Sequence, residues 1–246
     1  MTRGEKMFDF EDFYAKTKII GVGNFGAKIV NYLKSKPLFN VEFAVVAENK
    51  IDDKIFANVD LLFIFTDLTD ESISMQIAKM SKSENILTVA VIPESAKKVE
   101  NFQNTVDVFI AVEDENIFSM YSAVRCVNGL IGPGLVGLDF YDVRITLENG
   151  GRGYVAYGKA KGETPTTDTM QIAINSASNI LRKSKRIAFC IFGCSESLSM
   201  LEANEASTIL QETANPEAEI VWTVIADDAD KTNLDCAEVI IIATDL

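Results

Sequence analysis

Along the first half of the chain, short apolar runs alternate with segments of helical period. The runs are TKIIGVG (17–23), VEFAVVAE (41–48), VDLLFIFTD (59–67), ILTVAVIP (86–93) and VDVFIAV (106–112), rich in β-branched and aromatic residues. A strand with one wet face would alternate polar and apolar positions; these scarcely do, which predicts a parallel sheet covered on both faces. Between them GAKIVNYLKS (26–35) and ESISMQIAKMSKS (71–83) repeat apolar residues every three or four positions. That is the spacing of a helix with one buried stripe.

IFSMYSAVRCVNGLI (117–131) also keeps helical spacing and stops at Gly132-Pro133-Gly134. Beyond it the character changes. DVRITLEN (142–149) followed by GRGYVAYGKAKG (151–162) predicts a hairpin turning near Gly150-Gly151. TTDTMQIAINSASNILRKS (166–184) predicts a helix with Thr166 or Thr167 as its cap. A strand (186–193), a helix (198–214) and two closing strands (219–228 and 238–246) complete the chain. The basic cluster Arg182, Lys183, Lys185 and Arg186 suits the negative end of the helix it closes. The pattern predicts an α/β protein in three parts: a Rossmann-like parallel-sheet domain (1–115), a central connecting helix and turn (116–134), and an α+β domain (135–246).

Composition narrows the functions. With 48% hydrophobic residues and a mean hydropathy of +0.12, the 246 residues can bury a sizeable core. A net charge of −13 argues against nucleic acid and against direct binding to anionic membranes. No apolar run is long enough to span a bilayer, and MTRGEKMFDFEDFYAK has acids where a signal peptide needs its apolar segment. A cytoplasmic protein is expected. The absence of histidine removes Ser-His and Cys-His nucleophiles and histidine-containing zinc sites. Cys126, Cys190, Cys194 and Cys236 form no CxxC and read as buried thiols, so no metal site is expected.

The candidate chemistry begins at Gly21-x-Gly23-x-x-Gly26, between a strand and a helix. Such a turn lets backbone approach a phosphate at a helix start, making Gly21, Gly23, Asn24 and Gly26 candidate cofactor-binding residues. Glu48 stands about twenty residues on, where a dinucleotide site would hold ribose. A nicotinamide-dependent enzyme is one reading, and a glycine-rich turn without ligand another.

The second candidate is GPGLVGLDFYDVR (132–144), with Asp139 and Asp142 three positions apart. Together with its flanks, from AVRCVNGL to GYVAYGKAKGE, it resembles the FtsZ family of tubulin-like bacterial division GTPases. Gly134, Leu135, Asp139-Phe140, Asp142-Val143-Arg144, Gly158, Ala160 and Gly162 match the family's pattern in order. GVGNFGAKIVNYL (21–33) is similar to its first glycine loop and helix, and the closing strands to its last pair. The resemblance implies a two-domain fold, GTP or GDP as ligand, and self-association or FtsZ as partner. It also implies that Asp139 and Asp142 are a catalytic pair, projecting onto the nucleotide of the next subunit to position water and metal. The other reading of the same residues is that the two acids only shape a turn and cap backbone N–H groups.

The chain departs from that family where phosphate should sit. TDLTDES (66–72) replaces a loop of glycines and threonines, and contains no glycine at all. Without glycine the positive-φ turns that aim N–H groups at phosphate are hard to make. Asp67, Asp70 and Glu71 add like charge there, each pair costing on the order of 4 kcal/mol at 4 Å and an effective dielectric of about 20, before screening. Asn24 and Phe25 replace glycines, Gly137 replaces an asparagine, and Ile117 stands where an acid would read guanine. The segment after Glu48 is short, and the family's C-terminal partner-binding tail is not found after ATDL (243–246). The expectation is a shortened, divergent FtsZ-like protein with a degenerate GTP pocket, binding nucleotide weakly or not at all. The alternatives are an FtsZ-like GTPase hydrolysing in trans, and the nicotinamide-binding enzyme.

Overall fold

The computed structural model describes residues 14–47, 51–96, 99–114, 116–195, 198–226 and 235–245. Glu48 lies outside them. Five parallel strands form first: β1 (Thr17–Val22), β2 (Val41–Val46), β3 (Leu61–Phe65), β4 (Leu87–Pro93) and β5 (Val108–Val112). Every residue of β1, β3 and β4 is buried, as near-continuous apolar runs require. Helix α1 (Gly23–Leu33) covers one face, and α2 (Glu71–Ser83) with the short α3 (Val99–Gln103) covers the other.

Helix α4 (Ile117–Ile131) begins at Asn116, whose side chain accepts from the Ser119 N–H, and ends at Gly132. It leads through the Pro-Gly turn to α5 (Phe140–Leu147) and β6 (Gly151–Lys161). Helix α6 (Pro165–Leu181), β7 (Arg186–Gly193), α7 (Met200–Thr213), β8 (Glu219–Ala226) and β9 (Cys236–Thr244) follow. All nine strands make one sheet in the order β2-β1-β3-β4-β5-β6-β9-β7-β8. Strand β6 is the seam: Gly151–Gly153 pair parallel with Val108–Ile110, and Tyr154–Lys161 pair antiparallel with β9. One core cluster runs under α1 and α4 from Ile19 and Phe63 to Ala188, Cys190 and Ile240. A second lies under α6 and α7 on the opposite face of β7 and β9.

Three expectations are corrected. The expected hairpin is a helix followed by a strand. Asp139 caps α5 and Val143, Thr146 and Leu147 bury one helical stripe, so β-branched residues here serve a helix. Strand β6 takes its partners from β5 and β9. Helix α6 starts at Thr164 with Pro165 as its first residue, so neither Thr166 nor Thr167 is the cap. Arg186 serves α5 and not α6: its guanidinium donates to the Ile145 and Glu148 carbonyls at 2.7 and 2.8 Å.

Candidate functional site

The glycine loop sits at the C-terminal ends of the parallel strands, where α/β sheets bind ligands. Its glycines do different jobs. A Cβ on Gly21 would lie 2.3 Å from the Gly26 carbonyl oxygen, and one on Gly26 would lie 2.6 Å from the Phe65 oxygen. These two let α1 touch β1 and β3 backbone to backbone. Gly23 has φ +64°, and a Cβ there would lie 2.9 Å from Asp70 Oδ2. Asn24 is exposed, while Phe25 is half-buried against the core.

The β3–α2 loop closes on itself. The Thr66 hydroxyl accepts from the Leu68 N–H at 3.0 Å and bonds the Ser74 hydroxyl at 2.8 Å. The Asp67 carboxylate accepts from the Thr69 N–H at 3.0 Å. Leu68 is buried with φ +59°, a left-handed conformation a branched side chain rarely adopts. Two N–H groups that a phosphate loop would turn toward a ligand are therefore used internally. The Asp70 side chain makes no capping bond to its own helix. Its carboxylate stands instead over Gly23, at the start of α1, a helix with no acid in its first turn. The helix dipole favours negative charge at that position. Residue spacing carries no sign that Asp70 meets Gly23. At the start of α4, Ile117 follows the capping Asn116.

Asp139 and Asp142 lie at the other pole. Asp139 is the exposed N-cap of α5 and accepts from the Tyr141 N–H at 2.9 Å; Asp142 is exposed in the first turn. The preceding turn is held along β8, with the Leu135 N–H donating to the Val224 oxygen and the Thr223 hydroxyl to the Val136 oxygen. Gly134 is required there, since a Cβ would lie 2.3 Å from Thr223 Oγ1. A side chain at Gly137 would meet open space. Further along α5, Arg144 donates to the Asn85 carbonyl, just past the C-terminal end of α2. Asp70 is at the N-terminal end of α2, whose 13 residues span about 20 Å. The fold therefore keeps the acidic pair away from the chain's own glycine loop.

A third cluster was not foreseen from the sequence. Arg125 of α4 and Lys159 of β6 both donate to Glu238 of β9, and the Arg125 guanidinium lies 3.9 Å from the Phe192 ring centre. Burial opposes the charge on Glu238, yet Lys159 and Arg125 hold its carboxyl below the ordinary value. Burial beside Glu238 pushes Tyr157 up to about 12. Arg125 also borders a cleft of about 240 Å³ between α4 and the ends of β7 and β8. There the Asn128 amide pairs with both the N–H and the carbonyl of Phe39. Partners so distant in sequence leave no local signal. The four cysteines are free and buried, and burial pushes the Cys190 thiol up. Among the described residues no group of three or more His, Cys, Asp or Glu is arranged for a metal ion. Among them no helix is long and apolar enough to cross a membrane.

No family model matches the chain. Among curated proteins it is 23% identical to the cell division protein FtsZ of Magnetospirillum gryphiswaldense, over 89% of this chain and 52% of that protein. It is 25% identical to the FtsZ of Aquifex aeolicus, over 86% of this chain and 66% of that protein. The chain thus spans about half to two thirds of the length of these relatives. A mutant FtsZ from M. jannaschii superposes with a TM-score of 0.78 at 18% identity, covering 96% of this chain and 92% of the other. An empty FtsZ dimer from the same organism gives 0.77 at 18%, covering 95% and 89%. CetZ1 from Haloferax volcanii, a GDP-bound monomer, gives 0.65 at 14%, covering 93% of each.

Proposed function

We infer that this chain, which belongs to the FtsZ/tubulin family, works as a cell-division-associated cytoskeletal protein through head-to-tail subunit contacts with itself or with FtsZ, and not as an efficient GTPase. One observation carries the reading: the Asp70 carboxylate lies over Gly23, where backbone would have to meet a phosphate. The internally bonded N–H groups of Leu68 and Thr69 support it, because they leave little for a triphosphate to replace. Asp139 and Asp142, exposed at the opposite pole, suit contact with a neighbour. That exposure also favours a second reading, a GTP-binding subunit whose Asp139 and Asp142 assist hydrolysis in trans. The proposed setting is the cytoplasm.

Calorimetric titration with GTP, GDP and NAD in parallel separates the readings. GTP is expected to bind with a dissociation constant of roughly 1 mM or weaker, against about −8.2 kcal/mol for a micromolar site. Asp70→Gly is expected to tighten GTP binding roughly fivefold, which is about 1 kcal/mol once solvent screening is allowed for. Tight, magnesium-dependent GTP binding by the unaltered chain would overturn the closed-pocket reading, and tight NAD binding would favour the nicotinamide enzyme.

A further inference from the structure

We propose that the acidic pole around α5 docks onto a nucleotide-bearing subunit of the same fold and does not accept a second copy of this chain, so that the protein ends a filament and does not extend it. The proposal rests on the head-to-tail reading above.

The docking surface is amphipathic. Leu135, Tyr141 and Ile145 are 58, 64 and 41% exposed within eleven residues of chain. Tyr141 and Ile145 are four apart on α5 and so share a face. Asp139 and Asp142 lie beside them, both exposed. An exposed apolar group rimmed by charge is what protein–protein contact surfaces offer. The surface is also firmly set. Arg186 holds the C-terminal end of α5, Arg144 ties it to Asn85, and Val224 holds the preceding turn, so little ordering would remain for docking.

Charge decides which partner fits. The opposite pole of this chain is made by the connections that leave the C-terminal ends of β2, β3, β4 and β5. Among the described residues, segments 51–52, 54–56, 66–71, 94–96, 99–100 and 113–114 carry eight acids and one lysine. Stacking two copies head to tail would press Asp139 and Asp142 against this acidic pole, where Asp70 already fills the place over Gly23. Among the described residues no metal cluster is available there to offset the repulsion. Like charges across a contact select against a partner. A subunit that holds a nucleotide with a divalent cation is still net negative there, but the cation itself offers coordination positions to two exposed carboxylates, directly or through water. Because the chain offers one competent pole and one repellent pole, the heterologous contact cannot propagate.

The test uses the whole chain with GTP-loaded FtsZ from the same source and magnesium. Alone, the chain is expected to sediment as a monomer at physiological salt, where charges are screened beyond about 8 Å. Added at roughly one per twenty FtsZ subunits, it is expected to shorten filaments at least twofold, with labelled chain at one end only. Asp142→Lys, at an exposed position in the first turn of α5, is expected to abolish the shortening while circular dichroism stays unchanged and melting falls only slightly, the helix dipole disfavouring a cation there. Filaments of this chain alone, or its incorporation along FtsZ filaments without shortening, would overturn the proposal and leave head-to-tail association standing. A monomer that neither binds FtsZ nor changes its filaments would overturn the head-to-tail reading itself.

Discussion

Gly21 and Gly26 meet across the β1–α1 joint with no room for a methyl group on either. A glycine kept for packing and one kept for a ligand respond differently to alanine. Gly21→Ala would drive a Cβ into the Gly26 carbonyl and force α1 off the sheet, so stability should fall by about 3 kcal/mol or more. Gly23→Ala would strain a left-handed residue and displace the Asp70 carboxylate, for a smaller loss of about 1–2 kcal/mol. Urea denaturation of the two variants measures the difference. A Gly21→Ala protein as stable as the unaltered chain would mean that the glycine is not a spacer. A helix opening on the glycine motif was legible in the sequence because glycine spacing reports local backbone geometry, but the helix starts at Gly23, three residues before the periodicity placed it. The occupant above Gly23 was not legible, because Asp70 reaches Gly23 only through the sheet.

Among the elements, α2, α4 and β7 coincide with their sequence signals because strong periods or continuous apolar runs carry them. Helix α5 was misread because one Asx cap and an eight-residue stripe are weaker than the β-propensity of its valine, isoleucine and threonine. The clamp between elements was invisible for a different reason: Arg125, Lys159 and Glu238 come from α4, β6 and β9. Glu238 has a folded pKa below its ordinary 4.5, so its contribution is present above that value and is lost as pH falls through the lowered one. Lys159 is raised above 10.5, so its share is present below 10.5 and is lost as pH climbs through the raised value. Glu238→Gln removes the carboxylate charge to which Arg125 and Lys159 both donate at a mostly buried site, and should cost about 2 kcal/mol at neutral pH. Chemical denaturation followed from pH 7 down to pH 3 should show a shallower acid limb for this variant. An unchanged profile would assign the acid sensitivity to other carboxylates.

At the scale of the whole molecule, the question is whether two halves that share a sheet unfold as one body. The seam is slight: three register pairs join β5 to β6. At about 1 kcal/mol net per hydrogen bond, those pairs alone would not keep the halves together. Helix α4 supplies the stronger link. Ten of its fifteen residues are buried, and its cluster takes in Ile19, Phe63 and Val89 on one side and Ala188, Cys190, Phe192 and Ile240 on the other. Each large apolar side chain buried there contributes about 1.5–3 kcal/mol, so parting the halves would cost several times what the seam contributes. Scanning calorimetry should therefore record one transition, with equal calorimetric and van't Hoff enthalpies near 170 kcal/mol, at about 0.7 kcal/mol per residue around 60 °C. A fragment of residues 135–246 made alone should fail to fold, since losing α4 would expose one whole face of β7 and β9. Two resolved transitions, or a cooperatively melting fragment, would show that the halves are independent and that α4 belongs to only one of them.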